Sequence, residues 1–182
     1  MPTREEYATL PLSQRVERLA RTPDDLAVAL RGRSEADISR RPDAKNWSAK
    51  DVVCHLRDIE ELCMLRFRMM LAMDEPKVVV AGARPNNPDE WGLVGDELPV
   101  DPGRWAEERQ YQRCDLTAAL AAFRRRRAES LDFFRRLMDA QWRRTCLHPT
   151  LGRLTYGDWA ALIAGHDDNH LAQLQRALEG RP

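Results

Sequence analysis

Residues 159–177, WAALIAGHDDNHLAQLQRA, place Trp159, Ile163, His166, His170, Leu174 and Ala177 at spacings of three and four. Such spacing gathers side chains on one face of a helix. The stretch therefore predicts a bundle helix with two imidazoles in an otherwise apolar seam. Thr155, with Asp158 three residues on, supplies its start signal, because a hydroxyl cap and a first-turn carboxylate satisfy free backbone N–H groups.

Three further stretches carry the same period. Ser48 and Asp51 open a long helix whose seam is Val52, Leu56, Ile59, Cys63, Phe67 and Met70, ending near Met73. A helix beginning near Asp115 has the seam Leu116, Leu120, Phe123, Arg127, Leu131, Phe134 and Met138. The stretch from Leu12 to Leu30 presents Val16, Leu19, Leu26 and Leu30 and contains Pro23, so it reads either as one kinked helix or as two. Four such helices predict an all-α fold, a four-helix bundle filling a single domain over residues 1–182. Between helices two and three, Asp74 to Arg104 holds five prolines and four glycines. This long crossover loop is expected to shape a substrate pocket. A shorter connection spans Thr145 to Leu154.

The chain has 182 residues, 43% of them hydrophobic, with 29 basic and 29 acidic side chains. Zero net charge argues against nucleic-acid binding and against recruitment to an anionic membrane. No apolar run approaches the roughly 20 residues of a membrane span. Met1 to Leu10 carries Arg4, Glu5 and Glu6 and does not read as a signal peptide. The four cysteines form no CxxC pair and read as reduced thiols, which places the chain in the cytoplasm.

His166 and His170, four residues apart, can reach one ion. His55, inward on the second bundle helix, supplies a third imidazole. Three imidazoles from two helices leave coordination positions open, as catalytic sites do. The ligand type suits zinc, nickel, copper or iron. The competing account is three core histidines bonded to one another and to Asp58. Asp58 reads either as an acceptor orienting His55 or as an ordinary surface acid, and Gln173 as a partner of His170 or a core cap. Cys54 lies about 100° around the helix from His55 and is expected to miss the ion.

Asn46-Trp47-Ser48, Val52-Val53-Cys54-His55-Leu56, Trp105-Ala106, Tyr111, Phe123, Arg127, His148-Pro149-Thr150-Leu151-Gly152 and His166-Asp167 with Asn169-His170-Leu171 and Gln173 together resemble the DinB/YfiT-like superfamily. The resemblance covers residues 12 to 178. It implies an up-down-down-up bundle, a homodimer, and one divalent metal, zinc or nickel, on His55, His166 and His170. It also implies an activity on a small molecule: transfer of a low-molecular-weight thiol, used as co-substrate, by a metal-dependent S-transferase. A metal-dependent hydrolase or a non-catalytic ligand-binding module are the alternatives.

Two further residues are candidate catalytic groups. Arg127, in the seam of the third bundle helix, either binds a substrate carboxylate or pairs with a buried acid. His148 is either a general acid or base or a loop histidine with a structural hydrogen bond. The run Arg124 to Arg127 points four ways around a helix and mostly forms a solvated face. Trp47, Trp142 and Trp159 read as core anchors.

Overall fold

A computed structural model describes residues 3–182; Met1 and Pro2, at the head of the Met1–Leu10 stretch, lie outside the described residues. Four long helices, α2 (Leu12–Leu30), α4 (Ala49–Ala72), α6 (Leu116–Arg136) and α8 (Tyr156–Leu178), form the bundle. Shorter helices α1 (Arg4–Thr9), α3 (Glu35–Ser39), α5 (Pro102–Glu108) and α7 (Asp139–Trp142) decorate it. Strands β1 (Thr145–His148) and β2 (Gly152–Thr155) form an antiparallel hairpin.

The start signals act as their chemistry requires. Ser48 and Asp51 close a capping box on α4, Thr155 and Asp158 close one on α8, and Asp115 caps α6 by accepting from the Ala118 N–H. Pro23 does not divide α2, which is one continuous helix. The proline lacks an N–H, so the carbonyl one turn earlier, on Leu19, has no helical donor. Arg127 Nη1 donates to that oxygen at 2.9 Å.

Side-chain pairings fix the helix directions. Glu60 meets Arg127, and Phe67 meets Phe133 and Phe134, so α4 and α6 run parallel. His55 meets His166 and His170 while Phe67 meets Trp159, so α4 and α8 run antiparallel. Arg15 reaches Gly157 and Thr22 reaches Asp167, which makes α2 parallel to α8. The order is up-down-down-up, as the resemblance implies. Parallel α4 and α6 require the intervening chain to climb back along a 24-residue helix, about 36 Å at 1.5 Å per residue. The long crossover exists for that reason.

Two details depart from the expectations, and a third, at Gly165, is new. The Thr145–Leu154 connection is a hairpin, and residues 76–78 lie beside β1, with the Val78 N–H donating to Leu147 O at 3.0 Å. The isolated stretch carries no alternation strong enough to announce strands. Met138 leaves the seam because α6 stops at Arg136, and it is 65% exposed. Gly165 on α8 admits the N-terminal segment, since a Cβ there would stand 3.0 Å from the Arg4 backbone nitrogen.

Two apolar clusters fill the bundle. Phe67, Met70, Phe134, Tyr156 and Trp159 pack one end; Leu26, Val52, Val53, Phe123 and Leu174 pack the other. Each large side chain so buried contributes about 1.5–3 kcal/mol. The level between them, at residues 18–22 of α2, 55–60 of α4, 127 of α6 and 166–170 of α8, is polar and carries the candidate site.

Candidate metal centre

His55 is buried at 3% exposure, while His166 and His170 are half-buried. One ring nitrogen from each lies within 4.8 Å of the others. His55 Nε2 and His166 Nε2 are 3.4 Å apart. Two nitrogens each about 2.1 Å from a tetrahedral ion stand roughly 3.4 Å apart, whereas an N–H···N hydrogen bond draws them closer, toward about 2.9–3.0 Å. His170 Nδ1 is held by Gln173 Oε1 at 2.7 Å, which leaves its Nε2 for the cluster. His55 Nδ1 is buried without a partner. The donor set therefore fits one divalent ion with at least one position open.

Electrostatics favour the ligating form. Burial, then the neighbouring His170 and His166, hold the His55 imidazolium well below its ordinary range. Burial and His166 push His170 down to about 3, against the opposing pull of the Gln173 hydrogen bond. Both rings are neutral at pH 7, as metal binding requires. Trp47 walls the cluster, its ring centroid 4.8 Å from His55 and 6.2 Å from His170.

The carboxylates at this level are spent elsewhere. Asp167 accepts from Arg127 at 2.6 and 3.2 Å and from Thr22 Oγ1 at 2.6 Å; Glu60 completes the pairing of Arg127 at 2.9 Å. Burial opposes charge on Asp167, yet Arg127 beside it holds its carboxyl well below the usual range. Arg127, 2% exposed, thus takes the buried-acid alternative of its two readings. It stands one residue from the centre, through Asp167, whose Oδ1 is 4.0 Å from His166 Nδ1. Asp58 is not the orienting partner of His55: its oxygens accept from Arg57 at 2.7 Å and Tyr111 at 2.9 Å, with Arg109 at 3.1 Å. Arg57 on α4, Arg126 on α6 at 3.5 Å and Arg109 at the end of α5 outcompete the ring. Cys54 turns toward Tyr111 O and misses the cluster.

His148 is not brought to the three imidazoles. Its Nδ1 accepts from the Thr150 and Leu151 N–H groups at 3.2 Å each, which closes the hairpin turn. Burial, with Arg66 and Arg4 nearby, pushes it down to about 4.

A cavity of about 50 Å³ lies against His166, walled among others by Cys63, Arg66, Val80, Ala81 and Trp159. The crossover loop supplies Val80 and Ala81, so it does shape the space beside the centre. A larger groove of about 500 Å³ runs outside α4 and α6, but no histidine of the cluster lines it. Nothing in the seam pattern singles out Arg66, which is buried beside it; its position three residues after Cys63 is the one signal that it turns inward.

A bundle of this direction order with three converging imidazoles defines a class of helical metal-site proteins. The chain belongs to the DinB superfamily, whose family model matches residues 18–174. It is 26% identical to the uncharacterized protein YuaE of Bacillus subtilis, covering 82% of this chain and 88% of YuaE. Its fold is similar to that of YfiT from Bacillus subtilis, described as a probable metal-dependent hydrolase with an unusual four-helix bundle topology. That structure superposes with a TM-score of 0.69 at 20% identity, covering 91% of this chain and 85% of the other. Among the described residues, no helix is long and apolar enough to cross a membrane.

Proposed function

We propose that the chain is a metal-dependent enzyme that transfers a low-molecular-weight thiol to a small electrophile. The observation that carries it is the convergence of three imidazoles at a spacing matching one ion, with no unspent carboxylate beside them. A divalent ion held by His55, His166 and His170 would supply Lewis-acid activation of a nucleophile. A thiol, with a pKa near 8.5, would need less help from a general base to ionise beside such an ion than water, whose pKa lies far higher.

The chain's own residues do the rest. Gln173 fixes the His170 tautomer by accepting from Nδ1. Asp167, anchored by Arg127 and Thr22, holds negative charge beside His166. Trp47, Trp159, Val80 and Ala81 keep water from the centre and its cavity. The description of YfiT favours hydrolysis as a second reading.

The test is a panel of thiols and electrophiles with ester and amide substrates, using zinc- or nickel-loaded protein. Thiol-dependent turnover that falls about 100-fold or more in His166→Ala is expected, an interaction of about 2.7 kcal/mol. Equal turnover in both proteins overturns the metal centre. Metal-dependent ester cleavage without thiol overturns thiol transfer in favour of hydrolysis.

A further inference from the structure

Three buried arginines lie in this bundle, and one differs from the others. Arg18 is paired with Asp168 at 2.6 Å and Arg127 with Asp167 and Glu60. Arg66, 3% exposed, forms no ion pair among the described residues. Its Nε donates to Val79 O at 2.7 Å, and its Nη1 lies 3.6 Å from Cys63 Sγ. Burial pushes that thiol up to about 12, so it stays neutral and offers no counter-charge. The Arg66 guanidinium stands 5.1 Å from the Trp159 ring. Its Nη2 is buried and has no hydrogen-bond partner among the described residues.

A buried guanidinium without an anion is costly, because its lost hydration is not repaid. A wholly structural arginine would be expected to find a carboxylate, as Arg18 and Arg127 do. Arg66 instead borders the cavity that His166 also walls, with Ile59, Val80, Ala81 and Ile163 as its apolar sides. A volume of about 50 Å³ exceeds the 10–15 Å³ or so that one water occupies.

We infer that Arg66 Nη2 anchors a carboxylate of the substrate inside this cavity, directing the rest of that molecule toward the His166 side of the metal centre. A carboxylate is favoured over a phosphate by the donor supply. One free nitrogen and apolar walls suit a small monoanion whose neighbouring carbon is itself apolar. A dianion with three hydrated oxygens would leave most of them without donors. Calling the bound molecule a substrate rests on the function proposed above; the binding of a carboxylate does not.

Calorimetric titration of the metal-free protein with propionate tests the site directly. Propionamide, its uncharged analogue, and inorganic phosphate serve as the comparison arms. Saturable propionate binding is expected, weakened about tenfold or more in Arg66→Gln, the loss of one charge-assisted hydrogen bond. Propionamide and phosphate should bind about tenfold or more weakly to wild type. Ala81→Leu fills the cavity without touching the guanidinium and should also abolish propionate binding. It decides the matter if Arg66→Gln does not fold. Unchanged propionate affinity in either folded variant, or preferred binding of phosphate, overturns the inference.

A parallel zinc titration separates the two claims. Zinc affinity should stay within about twofold in Arg66→Gln, since the guanidinium is not a ligand. Zinc binding to wild type without propionate binding sinks the Arg66 site alone. Propionate binding without zinc binding sinks the metal centre and leaves the carboxylate site standing.

Discussion

Residues 166 to 170 of α8 present two opposite solutions to burying polar groups within one turn of helix. Asp167 and Asp168 face α2 and α6, where every oxygen finds a donor: Arg127 and Thr22 for one, Arg18 and Tyr7 for the other. His166 and His170 face α4, where the imidazoles meet one another and His55 Nδ1 finds nothing. The acid face pairs every carboxylate oxygen within the protein, leaving only Arg127 Nε and the nearby Ser130 Oγ without a partner among the described residues, and its charges lock three helices together. The histidine face is incomplete without something from outside. Buried polarity that is satisfied reads as structure; buried polarity left waiting reads as a binding site.

The contrast breaks most severely at Arg127. Arg127→Ala leaves Asp167 and Glu60 buried without their counter-charge, and a loss of about 3–5 kcal/mol is expected. Chemical denaturation at pH 7 measures it. A loss under 1 kcal/mol would show the acid face to be no more than solvated surface.

The histidine face should instead respond to metal and pH. Zinc at about 100 times its dissociation constant should stabilise the folded protein by roughly 2.7 kcal/mol. His170→Ala should remove most of that gain while leaving the bundle folded on its two apolar clusters. Without metal, the folded pKa of His170 is about 3 and that of His148 about 4, both below the unfolded value near 6.5. The unfolded chain then takes up protons first, so stability falls as pH drops from 6.5 toward 4, by at most about 1.4 kcal/mol per pH unit for each group. Asp167, held below the ordinary carboxylate range, adds stability that is present above its unfolded value and is lost only below about pH 4. Thermal midpoints at pH 7.5, 5.5 and 3, with zinc and with chelator, resolve the two windows. A midpoint indifferent to saturating zinc would make the histidines ordinary core residues.

Gln173 sharpens the comparison more gently. Gln173→Leu removes the acceptor on His170 Nδ1, and zinc affinity should fall about 10- to 100-fold with little change in metal-free stability. Unchanged affinity would mean that the hydrogen bond does not orient the ligand. At the smallest scale, the exposed pair of Arg124 with Asp24 should contribute less than about 1 kcal/mol, so Arg124→Ala should leave both faces as they are. A double-mutant cycle with Asp24→Ala measures the pair. A coupling above 2 kcal/mol would extend the acid network to the surface.

The sequence by itself determined the four bundle helices and the three histidines that converge between them. The period of three and four in the seams, the Ser48–Asp51 and Thr155–Asp158 caps, and the HxxxH of α8 are local signals, because helix geometry converts spacing directly into a shared face. What those signals could not carry is partner choice. Apart from Arg57 beside Asp58, whether Asp58 served His55 or an arginine, whether Arg127 met a substrate or Asp167, and whether Pro23 cut α2 depended on residues 40 to 108 positions away. Only the packed bundle brought Arg109 and Tyr111 to Asp58, Arg127 to the carbonyl that Pro23 leaves open, and Val80 with Ala81 to Arg66. Side-chain charge and hydrogen bonding are short-ranged in space but indifferent to separation along the chain. A sequence therefore shows which groups need partners, and the tertiary structure decides which of them go without.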